Sequence, residues 1–178
     1  MRKLAAVLLL CLCAAPVSAA VPQAVAIVID TNRIMREAKA VVEIARQVEA
    51  IGARYGSEFK AAEARLRQED QALTNQRGLL NKEAYKAKVQ ELRERLAQLR
   101  SKAQRQRTAL DRARSEAVRK VQVQLLRVSR DLAGKLGATV VIQKAALVWA
   151  DEKALEFTED ALERLNEVLP SVTIEVPQ

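Results

Sequence analysis

The sequence predicts a mainly α protein with a small β body, an α+β chain in which a long antiparallel helical hairpin projects from a few strands. Two observations predict this fold. Apolar residues recur at steps of three and four along both halves of a segment from about 41 to 136, the pattern of a coiled-coil arm. Short β-rich runs stand only before and after that segment. The chain is therefore expected to leave a small sheet, travel out along one helix and return along another.

The apolar positions of the two arms mirror each other about residue 79. A fold there sets the arms in register, pairing Leu73 with Tyr85, Leu66 with Leu92, Ala62 with Leu96, Phe59 with Leu99, Tyr55 with Ala103 and Val48 with Leu110. Turn chemistry coincides with the mirror point, because Gly78 suits the left-handed position that ends a helix and Asn81 suits the cap of the next. These residues favour a hairpin with its tip near 77–82 over one unbroken helix in a parallel coiled coil.

Residues 1–20 are predicted to be a secretory signal peptide. A basic start is followed by an apolar run too short to span a membrane comfortably and by a small-x-small pattern, so cleavage is expected near Ala19 or Ala20. Cys11 and Cys13 both lie inside this signal, and each follows a leucine, which argues against a lipid anchor. The mature chain would then carry no cysteine, and we expect it in the periplasm.

The body is predicted to combine residues 21–40 with residues 137–178, while residues 41–136 form the arm. A strand over 24–29 leads to a short helix capped by Asp30 or Thr31 that continues into the rising arm. After a stop at Gly134 to Gly137, strands over 138–142 and 145–149 are expected to form a hairpin. Thr158 should cap a last short helix, and residues 172–176 alternate like a final strand.

The available side chains argue against catalysis. The chain has no histidine, and the mature chain lacks the thiol nucleophile, so the common general base and the usual transition-metal ligands are missing. No glycine-rich phosphate loop follows a strand, and the carboxylates stand at spacings ordinary for solvated helix faces. We therefore expect neither an enzyme nor a metal site nor a cofactor.

Positive charge is concentrated on the descending arm. From residue 82 to 130 the chain has fifteen Lys or Arg against five Asp or Glu, whereas residues 131–178 have four against nine. A basic helix face attracts phosphate groups and acidic polymers, and Arg105, Arg107, Arg112 and Arg114 are candidates for such contacts. The alternative is a solvated face that only keeps the chain soluble. Specific nucleic-acid binding is disfavoured by the signal peptide.

Two helices alone bury little apolar surface, so the chain is expected to need partners. A hairpin has a single seam, and four short strands would leave open edges. Strands joined between several copies would cover those edges. This reasoning predicts an oligomer with a compact assembled body and projecting arms.

The mature chain resembles the Skp (OmpH-like) family of periplasmic chaperones over nearly its whole length. The likeness rests on the opening strand that ends at Asp30, on the arm with its tip from Gly78 to Asn81, and above all on residues 139–166. The latter stretch includes Thr139-Val140-Val141-Ile142, Ala146-Leu147-Val148-Trp149 and Glu156-Phe157-Thr158. Gln143 and Trp149 stand where the family usually has Asp and Tyr, and the tail beyond Asn166 is longer than in many members.

This resemblance implies a homotrimer whose strands build a trimerisation body with three arms around a cavity. It implies an ATP-independent holdase that binds unfolded outer-membrane β-barrel proteins. It also implies contacts with lipopolysaccharide, or an anionic membrane surface, through the arms. Lys102, Arg112 and Gln124 match such a patch, and Ala113 stands where a neighbouring basic residue would be.

The tip offers candidate contacts with client proteins: Leu73, Leu79, Leu80 and Tyr85. Leu80 and Tyr85 also have the spacing of a hydrophobic staple, so closure of the turn is the alternative role. A second class of function is a structural coiled-coil adaptor that bridges cell-envelope complexes through a fixed partner at the tip.

Overall fold

The structure, a computed structural model, describes residues 24–149 and 151–176. It confirms a mainly helical chain with a small sheet; the predicted signal peptide over 1–20 lies outside the described residues. The elements follow in the order β1 (Ala26–Ile29), α1 (Thr31–Glu37), α2 (Lys39–Asn75), α3 (Lys82–Lys135), β2 (Val140–Gln143), a 3-10 turn (Lys144–Ala146), α4 (Glu152–Leu155) and α5 (Thr158–Val168).

Helices α2 and α3 form the predicted antiparallel hairpin. The chain reverses over residues 76–81, around the predicted mirror point. Near the body, Leu110 of α3 belongs to the core cluster against which Val48 of α2 packs, and near the tip Arg95 of α3 forms an ion pair with Glu69 of α2. The 54 residues of α3 span about 80 Å at a rise of about 1.5 Å per residue. These contacts within one chain exclude the unbroken helix.

Gly78 does not adopt the predicted left-handed conformation, so that part of the turn prediction was wrong. Helix α2 instead ends by tightening its last turn. The Gln76 amide donates to the carbonyls of Ala72 at 3.2 Å and Leu73 at 3.1 Å, and the Leu79 amide donates to the Gln76 carbonyl at 2.9 Å. These bonds satisfy terminal carbonyls of α2 without a positive φ.

Asn81 caps α3 as predicted. Its Oδ1 accepts a hydrogen bond from the Ala84 amide at 2.7 Å, and its backbone is extended, as expected at an N-cap. Glu83 lies in the first turn, where its carboxylate complements the positive end of the helix dipole. The cap fixes the point at which the descending arm begins.

The stop at the end of α3 is made by Gly137, which has a φ of 66°. Around it, the Ala138 amide donates to the Ala133 carbonyl at 2.8 Å and the Gly137 amide donates to the Gly134 carbonyl at 3.3 Å. This pair of bonds is a Schellman motif, which requires a left-handed residue at that position. The chain is thereby redirected from α3 into β2.

The short first helix does not continue into the arm, contrary to the sequence prediction. Ala38 separates α1 from α2 with an extended ψ of 131°, although no proline or glycine is present. The break has a tertiary cause. Ala38 is fully buried, and the Lys39 amide at the start of α2 donates to Oδ1 of Asn166, from α5, at 2.8 Å. A side chain 127 residues away thus supplies the missing N-cap.

The sheet has two described strands, β1 and β2, which are parallel. Ala26 pairs with Val140 and Ile29 with Gln143, and Val28 also forms a parallel bridge with Glu156. The α2–α3 hairpin is the crossover that a parallel pair requires. In the described chain β1 is hydrogen-bonded along one edge by β2 and bridged at its other edge by Glu156, whereas the outer edge of β2 has no partner.

The second predicted strand, over 145–149, was wrong. After β2 the chain makes a 3-10 turn in which the Leu147 amide donates to the Lys144 carbonyl at 3.1 Å. A strand requires a paired neighbour, and no strand of the described residues pairs with the outer edge of β2. Val148 is fully exposed and Trp149 is 83% exposed.

The final predicted strand, over 172–176, does not join the sheet, so that prediction was wrong. The predicted alternation of buried and exposed side chains is confirmed. Val172 and Ile174 are each 7% exposed, while Thr173 and Glu175 are exposed. The segment pairs with no strand in the described chain. It hydrogen-bonds instead to a side chain of α2, Gln47. Its buried side chains, Val172 and Ile174, join the core cluster at the base of the arm.

Thr158 begins α5 but does not cap it as predicted, because its hydroxyl is engaged elsewhere. Its Oγ1 accepts from the Asp30 amide at 2.9 Å and lies 3.1 Å from Oε1 of Glu156, to which it can donate. Thr158 therefore ties the end of β1 to the start of α5. Leu162 and Leu165 are buried as predicted.

One buried cluster joins the sheet, α1, α5, the C-terminal segment and the part of the arm nearest the body. It includes Ile27, Ile29, Ile34, Ile44, Leu110, Ala117, Val121, Leu125, Leu165, Val172 and Ile174. We call the part of the hairpin that contributes to this cluster the arm base, residues 40–51 and 110–133, and the remainder the outer arm, residues 52–109. The core positions the outer arm without extending into it.

Candidate functional site

The outer arm is a long surface with little core of its own. Its apolar stripe is only half-buried at Tyr55, Phe59, Leu66, Val89, Leu92, Leu96 and Leu99. Two helices cover each other along a single seam, and no third element of the described chain packs there. The outer arm consequently offers apolar side chains at regular intervals of one to two helical turns.

The four predicted tip residues differ in accessibility. Leu79 is 85% exposed, whereas Leu80 and Tyr85 are half-buried. The guanidinium of Arg77 lies 6.0 Å from the centre of the Tyr85 ring, within the range of a cation–π contact. Leu73 is only 6% exposed, so its side chain helps to close the tip and is withdrawn from solvent. Leu79 is the tip residue most available to a partner.

The predicted basic residues all lie on α3, and five of them are exposed: Lys102, Arg105, Arg107, Arg112 and Arg114. In the described chain none of these five forms an ion pair, although Arg105 donates to Oγ of Ser101 at 2.7 Å. Gln124 is half-buried in the helix. The five cations are therefore free to meet anions from solution.

These basic residues do not form one patch. A helix turns by about 100° per residue, so residues seven apart lie on nearly the same side and residues two apart lie on nearly opposite sides. Arg105 and Arg112 consequently share the side away from the seam, whereas Arg107 and Arg114 flank the seam. Ala113 is 6% exposed and faces the seam itself, so a basic residue there would be buried.

A second surface, which the sequence did not single out, is an apolar groove where α3 returns to the sheet. Its volume is about 710 Å³. It is lined by Ile29, Met35, Leu126, Ala133, Val141 and Ile142, among others. Leu126 is 62% exposed, and the neighbouring β2 edge exposes Val140 and Val141. A signal was present in the sequence, because Val123 and Leu126 are apolar residues outside the seam stripe.

Ion pairs lower the pKa of three carboxyl groups in the described chain. Lys144 donates to Glu156 at 2.9 Å, and this bond lowers the pKa of the Glu156 carboxyl. Arg95 likewise lowers the pKa of Glu69 across the outer arm. At the arm base, hydrogen bonds from Arg46 and Gln47 lower the pKa of Glu43. Each of these contacts therefore favours the ionised form of its carboxyl group.

The described residues show no arrangement for metal chemistry or for crossing a membrane. Within residues 24–149 and 151–176, no group of three or more Asp, Glu, Cys or His side chains could hold a metal ion. No helix in this part of the chain is long and apolar enough to span a membrane.

Comparison with known proteins agrees on one family. The family model described as outer membrane protein (OmpH-like) matches residues 26–165. No curated protein matches the sequence. Among solved structures, an OmpH-like protein of Caulobacter crescentus CB15, a candidate outer membrane chaperone, superposes with a TM-score of 0.80 at 13% sequence identity. The match covers 88% of this chain and 92% of that chain, and it shows that the two share a fold.

Proposed function

Because the chain belongs to the OmpH-like family of outer membrane proteins, we propose that it is a periplasmic holdase chaperone. In this proposal it binds unfolded outer-membrane β-barrel proteins between its helical arms and prevents their aggregation. It needs neither ATP nor a cofactor and catalyses no reaction. Its route to the periplasm is the signal peptide predicted over residues 1–20, with cleavage near Ala19 or Ala20.

The observation that carries the proposal is the half-buried stripe of the outer arm. An unfolded β-barrel protein exposes alternating apolar residues, and a holder must offer many weak contacts to them without trapping a fixed shape. Half-exposed side chains at Phe59, Leu66, Leu92 and Leu96 supply such contacts. Each contact is small, but several on one arm reinforce each other through effective concentration.

The body surfaces support a homotrimer. Copies of the chain would cover the open edge of β2, the groove beside it, and the exposed side chains of Val148 and Trp149. Three arms would then surround a cavity. The mass of the assembly, measured by light scattering during gel filtration, tests this; a monomeric mass at micromolar concentration would contradict it.

The exposed cations of α3 would draw acidic clients, lipopolysaccharide phosphates or an anionic membrane surface towards the arm by electrostatic steering. Changing Arg105, Arg107, Arg112 and Arg114 together to Gln should slow client capture at low salt. Arg105 and Arg112 lie on one side of α3, and Arg107 and Arg114 lie on another. Each of these pairs can therefore also be changed alone. Stopped-flow mixing with an unfolded client measures the rate, and equal rates for all variants would reject steering. Sequence-specific nucleic-acid binding forms no part of the proposal.

The deciding experiment dilutes an unfolded outer-membrane β-barrel protein out of urea with and without the chain, while light scattering records aggregation. We expect suppression at stoichiometric trimer and weaker suppression by the variant Leu79→Asp, which places a charge at the exposed tip. The alternative is a structural adaptor, for which Leu79 would be the docking point. Undiminished aggregation together with one stoichiometric envelope partner in a pull-down would favour the adaptor.

A further inference from the structure

The C-terminal segment 171–176 lies against the arm base in the manner of a bound β-strand. Gln47 Nε2 donates to the Val172 carbonyl at 3.1 Å, and Gln47 Oε1 accepts from the Ile174 amide at 2.9 Å. These two bonds reach the carbonyl and amide that flank Thr173 on one edge of the segment. A residue of a neighbouring parallel strand would make the same pair of bonds. One side chain of a helix thus replaces a sheet edge.

The amide of Gln47 is held in the orientation that this contact needs. Its nitrogen also donates to Oε1 of Glu43 at 3.1 Å, and Glu43 is in turn bound by Arg46 at 2.7 Å. Since a carboxylate can only accept hydrogen bonds, Glu43 requires the nitrogen end of the amide on its side. The donor and acceptor atoms of the Gln47 amide are therefore already oriented to bind an extended backbone.

The side chains of the segment are recognised by their alternation. Val172 and Ile174 join the buried cluster that contains Ala113 and Ala117 of α3, while Thr173 and Glu175 face outward. The two alanines leave room for an extra chain at the arm base. A further space of about 490 Å³ lies on the outward side of the segment, between Thr173, Glu175 and Val176 on one side and Ala113, Glu116, Ala117 and Lys120 of α3 on the other.

We infer that Gln47, Ala113 and Ala117 form a binding seat for an extended, alternately apolar segment of a client, and that the chain's own residues 171–176 occupy this seat when no client is bound. The inference rests on the proposed holdase function. The reason is that the seat contacts only backbone groups of the bound segment and every second one of its side chains. The strands of membrane β-barrels carry the same alternation of apolar and polar residues.

The position of the segment in the chain suits such a replaceable role. The family-model match ends at residue 165, before the segment begins. A segment that occupies a binding site in its own chain competes with any other ligand for that site. The apparent dissociation constant of the other ligand is then its intrinsic value divided by the fraction of chains in which the site is empty. Release of the segment should therefore increase client affinity at this seat.

The test uses two full-length variants with equal numbers of changes on opposite faces of the segment. Val172→Ser with Ile174→Ser removes the buried face, and Thr173→Ser with Glu175→Ser alters only the exposed face. We expect the first variant to bind an unfolded outer-membrane β-barrel protein about tenfold more tightly than the parent chain and the second to match the parent. Equal affinities for all three chains would overturn the inference.

Binding to the seat is measured separately with a fluorescein-labelled peptide of residues 169–176. By fluorescence polarisation, it should bind the Val172→Ser, Ile174→Ser variant and be displaced by the unfolded client. Methylation of the peptide nitrogen at Ile174 should weaken binding about tenfold, because it removes the donor to Gln47, whereas methylation at Glu175 should not. Equal binding of the two methylated peptides would reject the backbone contact.

A measurement on the unmodified chain guards against misfolding of the variants. Client binding should accelerate hydrogen exchange of the Ile174 amide in the parent chain, and unchanged exchange at saturating client would overturn the competition. If no chain holds client at all, the holdase proposal fails together with the client half of the inference. Peptide binding then still decides whether the seat exists.

Discussion

The arm base and the outer arm are continuous along the same two helices, yet their surfaces differ. Along α3, the base buries Leu110, Val121, Leu125 and Val128 to 7% exposure or less. In the outer arm the only fully buried apolar residue is Leu73, beside the tip. The difference comes from the number of layers, because α5, β1 and the C-terminal segment cover the base whereas only two helices form the outer arm. The same apolar spacing therefore gives a core in one place and a half-exposed apolar surface in the other.

Residue size follows this division. The base carries alanines at 113 and 117, which let other elements approach α3 closely, whereas the outer arm carries leucines at 92, 96 and 99 that remain half-exposed. Large side chains that are half-exposed contribute little to folding but much to contacts with a partner. We therefore expect the base to set the stability of the chain and the outer arm to set its affinity for clients.

The largest expected difference between the regions is the cost of truncating a leucine. Leu165→Ala removes a fully buried side chain from the body core and should lower the free energy of unfolding by about 2–5 kcal/mol. Leu96→Ala in the outer arm should cost about 1 kcal/mol because that side chain is only half-buried. Urea unfolding followed by circular dichroism at a fixed protein concentration measures both; equal costs would contradict the division.

Replacing a glycine by alanine should change the free energy of unfolding in opposite directions in the two regions. Gly137→Ala forces a left-handed backbone on alanine and should destabilise the return to the sheet by about 1–2 kcal/mol. Gly56→Ala lies within α2, where a Cβ atom would have nothing within 4 Å, and should stabilise the outer arm by about 1 kcal/mol. The midpoints of urea unfolding compare the two variants. A gain of stability for Gly137→Ala would disprove the Schellman stop.

The tip cap should have a smaller and local effect. Asn81→Ala removes the acceptor for the Ala84 amide and should cost about 1 kcal/mol, seen as faster hydrogen exchange near the start of α3. Asn75→Ala is the matched control, because Asn75 is exposed at the end of α2 and caps nothing. Similar exchange in both variants would show that the cap does not hold the tip.

The smallest expected effect is a pH dependence of stability that comes from an ion pair in the body. The bond from Lys144 lowers the pKa of Glu156 below its ordinary value of 4.5. The ionised carboxylate therefore stabilises the fold above about pH 4.5, and that contribution is lost as the pH falls through the lowered value. Glu156→Gln should flatten this part of the stability profile below about pH 4.5, as measured by thermal unfolding. An unchanged slope would assign the pH dependence to other groups.

The hairpin could be predicted because its signals are local. The apolar steps of the arms, Asn81 as a cap and the stop at Gly137 each involve residues close in sequence. Two predictions failed because the deciding contact was distant: Ala38 breaks the helix because Asn166 caps Lys39, and the Thr158 hydroxyl accepts a hydrogen bond from the Asp30 amide at the end of β1. The strand over 145–149 failed because no partner strand for it lies in the described chain. Gln47 gave no signal, since a glutamine on a helix is ordinary until its partner is known.

The sequence by itself determined that this chain folds back near residue 79, that its arms carry a narrow apolar stripe, and that α3 is basic. Periodicity, caps and charge are properties of neighbouring residues, so they can be read without coordinates. Only the tertiary structure decided which part of that stripe becomes core, that β1 and β2 run parallel, and that residues 171–176 settle on Gln47. Each of these depends on groups far apart in the sequence, whose meeting follows from packing and not from local preference.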